Sequence, residues 1–415
     1  MKKIYTLISV LIISAQLFAG GFQINEHGAK AMAMGGAFTA VANDASAIYW
    51  NPAGLTQITG TQLMLGTTLI SPMSSFKGIT PATTEYKTDN QSFFPTHFFA
   101  AHNFNNKIAV GIGFTSPFGL GVKWGDNWIG KYLTLDTELK TFTISPVVAY
   151  KFSEQFSLSA GFIYSWADVT LKQKAPIPAL LGGGESLITL DGKDNSAFGY
   201  SFGLLYKPLS ELSLGVSFHS ELKYSFSGTA SSSNIPPPAA SLFPNGNISA
   251  DITAPYNLTA GIAYQLDPKL LLSFDFQYVG WSSYDTLKVD FSSYSDISSA
   301  RLYDNSFILR LGGAYQLNNK LSVLAGIYYD KSPVKAEYMS PSLPEGNRLG
   351  FSAGFDYAIT SQLSLSGAYL YIYASKVTVT NSTQDYIPLD GIDEQFNGTY
   401  SSNASLGSLT VKYNF

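Results

Sequence analysis

The chain offers few residues with which to do chemistry. It has no cysteine and four histidines, His27, His97, His102 and His219. Thiolate, disulfide and iron–sulfur chemistry are therefore excluded. His97 and His102 are five positions apart, which on a strand places them on opposite faces, and no two histidines have metal-ligand spacing. Ser220 follows His219, but no G-x-S-x-G elbow surrounds it and no third polar group completes a triad. Gly182-Gly183-Gly184 lacks the strand–helix context of a phosphate loop. The expectation is no enzyme, no metal and no cofactor. One charge stands apart. Arg310 is one of three arginines, and it alternates with Phe307, Leu309 and Leu311, which puts it on the face of Ser306 and Gly312. A buried cation needs a partner, and Asp275, on the preceding strand, is the expected one.

The elements that hold these residues are strands. Phe156, Leu158, Ala160, Phe162, Tyr164 and Trp166 alternate with Ser157, Ser159, Gly161, Ile163, Ser165 and Ala167. Leu272, Phe274, Phe276 and Tyr278 alternate with Ser273, Asp275 and Gln277. One face is apolar and the other small or polar, with period two. Of the 415 residues 14% are aromatic and only 13% charged, against about 25% charged in an ordinary soluble protein. No apolar run of about 20 residues follows the N-terminus, so transmembrane helices are not expected. Charge-poor, aromatic and alternating strands point to a barrel whose apolar face meets lipid and whose small polar face lines a lumen. A net charge of −4 gives no basis for nucleic-acid binding.

The turns give the topology. Short turns fall at Asn105–Lys107, Ser153–Gln155, Lys207–Glu211, Leu266–Lys269, Asn318–Lys320 and Thr360–Gln362. Tyr150, Tyr206, Tyr264, Tyr315 and Tyr357 stand just before five of them, as an interfacial girdle would. Longer polar loops are expected near 71–91, 117–136, 173–194, 228–249, 291–300, 332–347 and 381–401. The fold expected is all-β: a transmembrane antiparallel β-barrel of about 14 strands.

Residues 1–19 read as a secretory signal, with Lys2-Lys3 before the apolar Ile4–Ile13 and cleavage after Ala19. Residues 57–415 form the barrel. Between them, 20–56 is rich in small residues and does not alternate. A short helix there ends at Gly35-Gly36, and a second begins at the N-cap Asp44 and stops at Pro52. Such a segment either plugs the barrel or covers one end.

Gly21-Phe22-Gln23-Ile24-Asn25-Glu26 and Asn51-Pro52-Ala53-Gly54 resemble the hatch of the FadL/TodX family, outer-membrane transporters of long-chain fatty acids and other hydrophobic compounds. Two further stretches resemble it: Ser116-Pro117-Phe118-Gly119-Leu120, and Lys331-Ser332-Pro333-Val334 with Leu343-Pro344-Glu345-Gly346-Asn347-Arg348. In the last, Glu345 and Asn347 stand where acidic residues are commoner. The resemblance implies a fourteen-stranded barrel plugged by an N-terminal hatch, and uptake by spontaneous diffusion with a sideways exit. Phe22 would line the ligand pocket. Asn51, Pro52, Ala53, Pro117, Phe118, Gly119 and Leu120 would gate the exit, since Pro117 cannot donate to a ladder and Gly119 weakens pairing. Arg310 either pairs with Asp275 or meets a fatty-acid carboxylate. Trp124, Trp128 and Leu180 crowd outer loops, where apolar residues either pack together or capture ligand.

The expected partners are a fatty acid or other hydrophobic ligand, outer-membrane lipid and lipopolysaccharide. The barrel assembly machinery joins them because Leu409, Val411, Tyr413 and Phe415 resemble the terminal strand of bacterial outer-membrane proteins. The chain is expected to be a monomer. The rival readings are an importer of aromatic hydrocarbons and a structural or adhesive surface barrel.

Overall fold

A computed structural model describes residues 21–79, 81–386 and 394–415. The expected signal segment lies outside them. Fourteen antiparallel strands close into one barrel. They are β1 (Gly60–Gly78), β2 (Glu85–Lys87 with Thr96–Asn103), β3 (Ile108–Thr115 with Gly119–Lys123), β4 (Asp136–Lys151), β5 (Phe156–Pro176), β6 (Glu185–Tyr206) and β7 (Leu212–His219 with Leu222–Ser233). The circle continues through β8 (Gly246–Ala254 with Asn257–Gln265), β9 (Leu270–Val279 with Thr286–Phe291), β10 (Ile297–Ala300 with Ser306–Gln316), β11 (Leu321–Asp330), β12 (Arg348–Ala358), β13 (Leu363–Val379) and β14 (Gly398–Asn414). Closure runs from Gln62 opposite Asn414 to Gly78 opposite Gly398.

Alternation sets which way each side chain points. On β9, Leu272, Phe274 and Phe276 are exposed on the outside while Ser273, Asp275 and Gln277 are buried inside. The girdle tyrosines Tyr150, Tyr206, Tyr264, Tyr315 and Tyr357 are exposed beside the short turns.

The outer loops are shorter than the sequence suggests, because strands run on into stretches that read as loop. β1 continues to Gly78, β5 to Pro176 and β7 to Ser233. Their outer ends, rich in Ser and Gly in β1 and β7 and Gln-Lys-Ala-Pro in β5, carry little apolar signal, yet they pair in register with neighbouring strands. Backbone pairing needs no apolar side chains once the strand has left the hydrocarbon.

Residues 21–57 sit in the lumen and are almost wholly buried. They hold α1 (Ala29–Ala33), α2 (Ala47–Trp50) and a 3-10 turn, Pro52–Gln57. α1 ends at Gly35 (φ 64°) and Gly36 (φ 76°), as expected. α2 starts later than expected. Asp44 does not cap it directly: its carboxylate accepts from the backbone N–H of Ser46 at 3.0 Å, and the helix begins at Ala47. The segment nests close to the wall because the wall lacks side chains there. A Cβ on Gly312 would lie 2.3 Å from the Met34 carbonyl oxygen, and one on Gly326 2.2 Å from the Gly35 nitrogen.

Candidate functional site

β3 is broken where Pro117 predicts. It pairs with β2 from Ala109 opposite Asn103 only as far as Phe114 opposite Phe98. Beyond that the two strands part, meeting again only at the outer end, where Thr88 bridges Trp124 and the Asp89 amide bonds Lys123. Phe93, Phe94 and Pro95 of β2 and Phe118–Val122 of β3 flank the opening. An unpaired edge is costly at membrane depth, and the hatch relieves it from inside. Ile24 donates its N–H to the Pro117 carbonyl at 2.9 Å, and Gly119 donates to the Phe22 carbonyl at 2.9 Å. Thr141 supplies the rest: its hydroxyl accepts from the Phe118 N–H at 3.0 Å and donates to the Phe118 carbonyl at 2.6 Å.

The segment Gly21–Glu26 is thus both a short partner strand and a partition. A cavity of about 580 Å³ lies among the outer loops, lined by Leu120, Leu133, Ile188, Phe226, Phe243 and Tyr284 among others. A second, of about 440 Å³, lies at the opening in the wall. Phe22 lines both. Its ring meets Phe118, Trp281 and Tyr284 edge-on, with centroids 5.9, 4.8 and 5.7 Å away. A third cavity, below the segment, is lined by Thr39, Thr115, Thr143, Ser145, Ser201 and Ser217. The two upper cavities are mainly apolar; this one mixes apolar residues with a larger share of hydroxyl and amide side chains.

A clamp holds Phe22 in place. The Gly21 N–H donates to Glu345 at 2.6 Å, and Arg348 donates to the Gly21 carbonyl at 2.8 Å. Arg348 also pairs with Glu345 at 3.1 Å and Asp330 at 3.9 Å. Burial pushes the Glu345 carboxyl up to about 8, against the pull of Arg348. The rest of the hatch is bonded to the wall on several sides. Asp275 accepts from the amides of Phe38 and Thr39, Ser352 donates to the Ala33 carbonyl, Thr410 accepts from Ala29, and Gln62 accepts from Ala45.

The expected gating residues separate into two groups. Phe118, Gly119 and Leu120 line the opening, and Pro117 lines the polar cavity beneath it. Asn51, Pro52 and Ala53 are buried elsewhere. Asn51 caps its own turn through the Ala53 amide (3.2 Å) and donates to the carbonyls of Thr39 and Leu204, both at 2.9 Å. It fastens the hatch to β6, whereas Phe22–Ile24 meets the break.

Arg310 is buried and lines the polar cavity, where it donates to Gln277 at 2.6 Å. The expected pairing with Asp275 is corrected: the two are cross-strand neighbours, but Asp275 spends its carboxylate on the hatch amides and forms no ion pair among the described residues. Trp124 and Trp128 are buried, stacked at 4.2 Å, with both indole N–H groups satisfied by carbonyls. They build the loop wall and line none of these cavities. Leu180 is 99% exposed at a loop tip.

One residue escaped notice in the sequence. Arg301 lines the outer apolar cavity and forms no ion pair among the described residues. The rarity of arginine was the available signal, since the three stand in three different cavities.

Nothing here assembles a catalyst. Ser220 donates to the Glu221 carbonyl and accepts from the Tyr200 amide, away from His219. No group of three or more His, Asp or Glu among the described residues has a metal-holding arrangement. The arrangement can bind and guide an apolar molecule.

The profile of a family described as outer membrane protein transport protein (OMPP1/FadL/TodX) matches residues 10–415. The chain is similar to the long-chain fatty acid transport protein of Escherichia coli strain K12, at 24% identity over 421 residues, covering 91% of this chain and 93% of that protein. Among solved structures, a FadL homologue of Pseudomonas aeruginosa matches with a TM-score of 0.84 at 21% identity, over 95% of this chain and 100% of that one. The toluene transporter TodX of Pseudomonas putida matches at 0.75 and 18%, over 97% and 100%.

Proposed function

We propose a substrate and a route from one premise: this chain belongs to the outer membrane protein transport protein family (OMPP1/FadL/TodX), transporters of hydrophobic compounds in the outer membrane. The substrate is a long-chain fatty acid, as the Escherichia coli relative's name states for that protein. The observation that carries this reading is Arg301: the cavity is lined mainly by Leu, Ile, Val, Phe and Tyr, its lysines Lys172 and Lys174 are paired with Asp136 and Glu185, its acid Asp296 with Lys288, and Arg301 alone of its charges has no counter-ion among the described residues. An apolar pocket with one guanidinium matches a molecule with a long tail and one carboxylate. A neutral aromatic hydrocarbon has no use for it.

The route runs from the outer cavity, past Phe22, into the cavity at the broken β3, and out sideways between β2 and β3. Two observations support this. The hatch body is bonded to strands all round the wall, so passage between the two upper cavities needs only Gly21–Glu26 to give up its bonds to β3 and to the Glu345–Arg348 clamp. The opening is rimmed by apolar side chains, with Phe94 63% exposed on the outside, so a lipid-soluble molecule leaves into lipid. No energy source enters; the ligand diffuses down its gradient.

The test compares affinity for a fatty acid, for the alcohol of the same chain length, and for toluene, in the native protein and in Arg301→Gln. A hydrogen bond to a charged group is worth about 1.5–3 kcal/mol, so the variant should bind the acid roughly ten- to a hundred-fold more weakly and the alcohol unchanged. Equal losses for acid and alcohol would remove Arg301 from the head-group role. Tighter native binding of toluene than of the acid would make the chain an aromatic hydrocarbon importer.

A further inference from the structure

The exterior lysines of the upper barrel are mostly paired on their own strands or across them: Lys140 with Glu138, Lys193 with Asp168, Lys223 with Glu221. Three are not. Lys77 on β1, Lys87 on β2 and Lys376 on β13 are exposed and form no ion pair among the described residues, yet they stand together. Lys77 is opposite Glu85 of β2, and Lys87 is opposite Ser75 of β1. Lys376 sits in the bulge of β13 between Ala374 and Val377. β14 lies between, and contributes Thr399 opposite Lys77 and Ser401 opposite Ser75. The one acid in the group, Glu85, accepts from the Ser75 hydroxyl and feels all three ammonium groups. Three cations therefore face outward around one carboxylate and a floor of hydroxyls.

Their height is set by what lies below them on the same outward face. Met73 is two positions membrane-ward of Ser75, and Tyr371 and Tyr373 precede Lys376; all three are exposed. Aromatic residues mark the interface, so the lysines sit just above it, at the level of lipid head groups. Lys376 and Lys87 are three strand spacings apart, about 14 Å at roughly 4.8 Å per step. One phosphate cannot reach both. A head group with two phosphates separated by sugars can, and its sugar hydroxyls meet Ser75, Thr399 and Ser401.

We propose that this face of β13, β14, β1 and β2 binds the phosphorylated glycolipid of the outer leaflet, lipopolysaccharide, through its head-group phosphates. The site is independent of the transport route and of its substrate. It stands on the strand that borders the opening in the wall, so a bound glycolipid occupies the outer surface beside the exit.

The test uses the whole barrel in detergent and native mass spectrometry with added bisphosphorylated lipid A. The Lys77→Gln/Lys87→Gln/Lys376→Gln variant is compared with Lys140→Gln/Lys193→Gln/Lys223→Gln, which removes three equally exposed but paired lysines. The native protein and the control variant should bind lipid A alike, and the first variant about ten-fold or more weakly, since each basic residue near an anionic surface contributes. Dephosphorylated lipid A and phosphatidylglycerol should bind the native protein as weakly as lipid A binds the first variant. Equal losses in the two variants would overturn the site. Equal binding of phosphatidylglycerol, or competition by inorganic phosphate at the same concentration as lipid A, would overturn the assignment to a glycolipid.

Discussion

Asp275 lies directly across the ladder from Arg310, yet its carboxylate serves the hatch. It accepts from the Phe38 amide at 3.0 Å and the Thr39 amide at 2.9 Å, while Arg310 turns to Gln277. Two opposite charges placed as neighbours have been given different work. The acid fixes the plug to the wall, and the base completes the polar cavity.

That division predicts weakly coupled effects. Asp275→Ala strands two buried amides, at about 1–3 kcal/mol each, and should loosen the hatch, seen as faster proteolysis or amide exchange at Phe38 and Thr39. Arg310→Gln should leave that exchange unchanged. In a double-mutant cycle the coupling should fall at the low end of the about 0.5–3 kcal/mol typical of neighbours, since the two face each other across the ladder without an ion pair. A coupling well above that would restore the ion pair.

The Glu345 clamp has its own signature. Its carboxyl rises from an ordinary 4.5 to about 8, with burial the main cause and Asp330 adding to it. A carboxyl raised on folding stabilises most below its unfolded value, and that contribution is lost as pH climbs through the folded one. The native barrel should therefore lose stability between pH 4.5 and 8. Glu345→Gln keeps a neutral acceptor for the Gly21 N–H and should flatten that slope, read as the difference in unfolding midpoint between pH 5 and pH 8. An unchanged slope would mean that Arg348 keeps Glu345 ionised throughout.

Much of this was legible from residue order. Period-two alternation in β5, β7 and β9 specifies strands and their two faces. The alternation of six short turns with seven longer loops gives the strand count, and Pro117 marks the break in β3. What could not be read was which groups meet across the lumen. Phe22 and Gly119 are far apart in sequence, and no local pattern says that one completes the ladder of the other. Asp275 reads as a counter-ion because strand pairing places it beside Arg310; only the position of the hatch shows that Phe38 and Thr39 claim it first. Trp124 and Trp128 read equally as capture surface or packing, and it is the carbonyls of Pro341 and Thr134, from outside and inside their loop, that make them packing.

The break in β3 carries the last prediction. Pro117 lacks an amide to donate, and the neighbouring Phe118 amide is taken by Thr141, so β2 has no partner here. Pro117→Thr with Gly119→Val restores a donor and a strand-forming side chain. A Cβ at 119 would come within 2.7 Å of the Ile24 Cδ1. That flexible side chain can move, and in moving it weakens the Gly119–Phe22 bond that now competes with β2. The repaired strand should pair with Phe93–Pro95 and close the wall. Uptake of a labelled fatty acid into vesicles should slow at least ten-fold, while binding from outside, which depends on the loop cavity and Arg301, stays as it was. A structure of the variant must show β3 continuous. If it does and uptake is unchanged, the ligand does not leave sideways, and the way out lies through the hatch, past the anchors at Asn51 and Asp275.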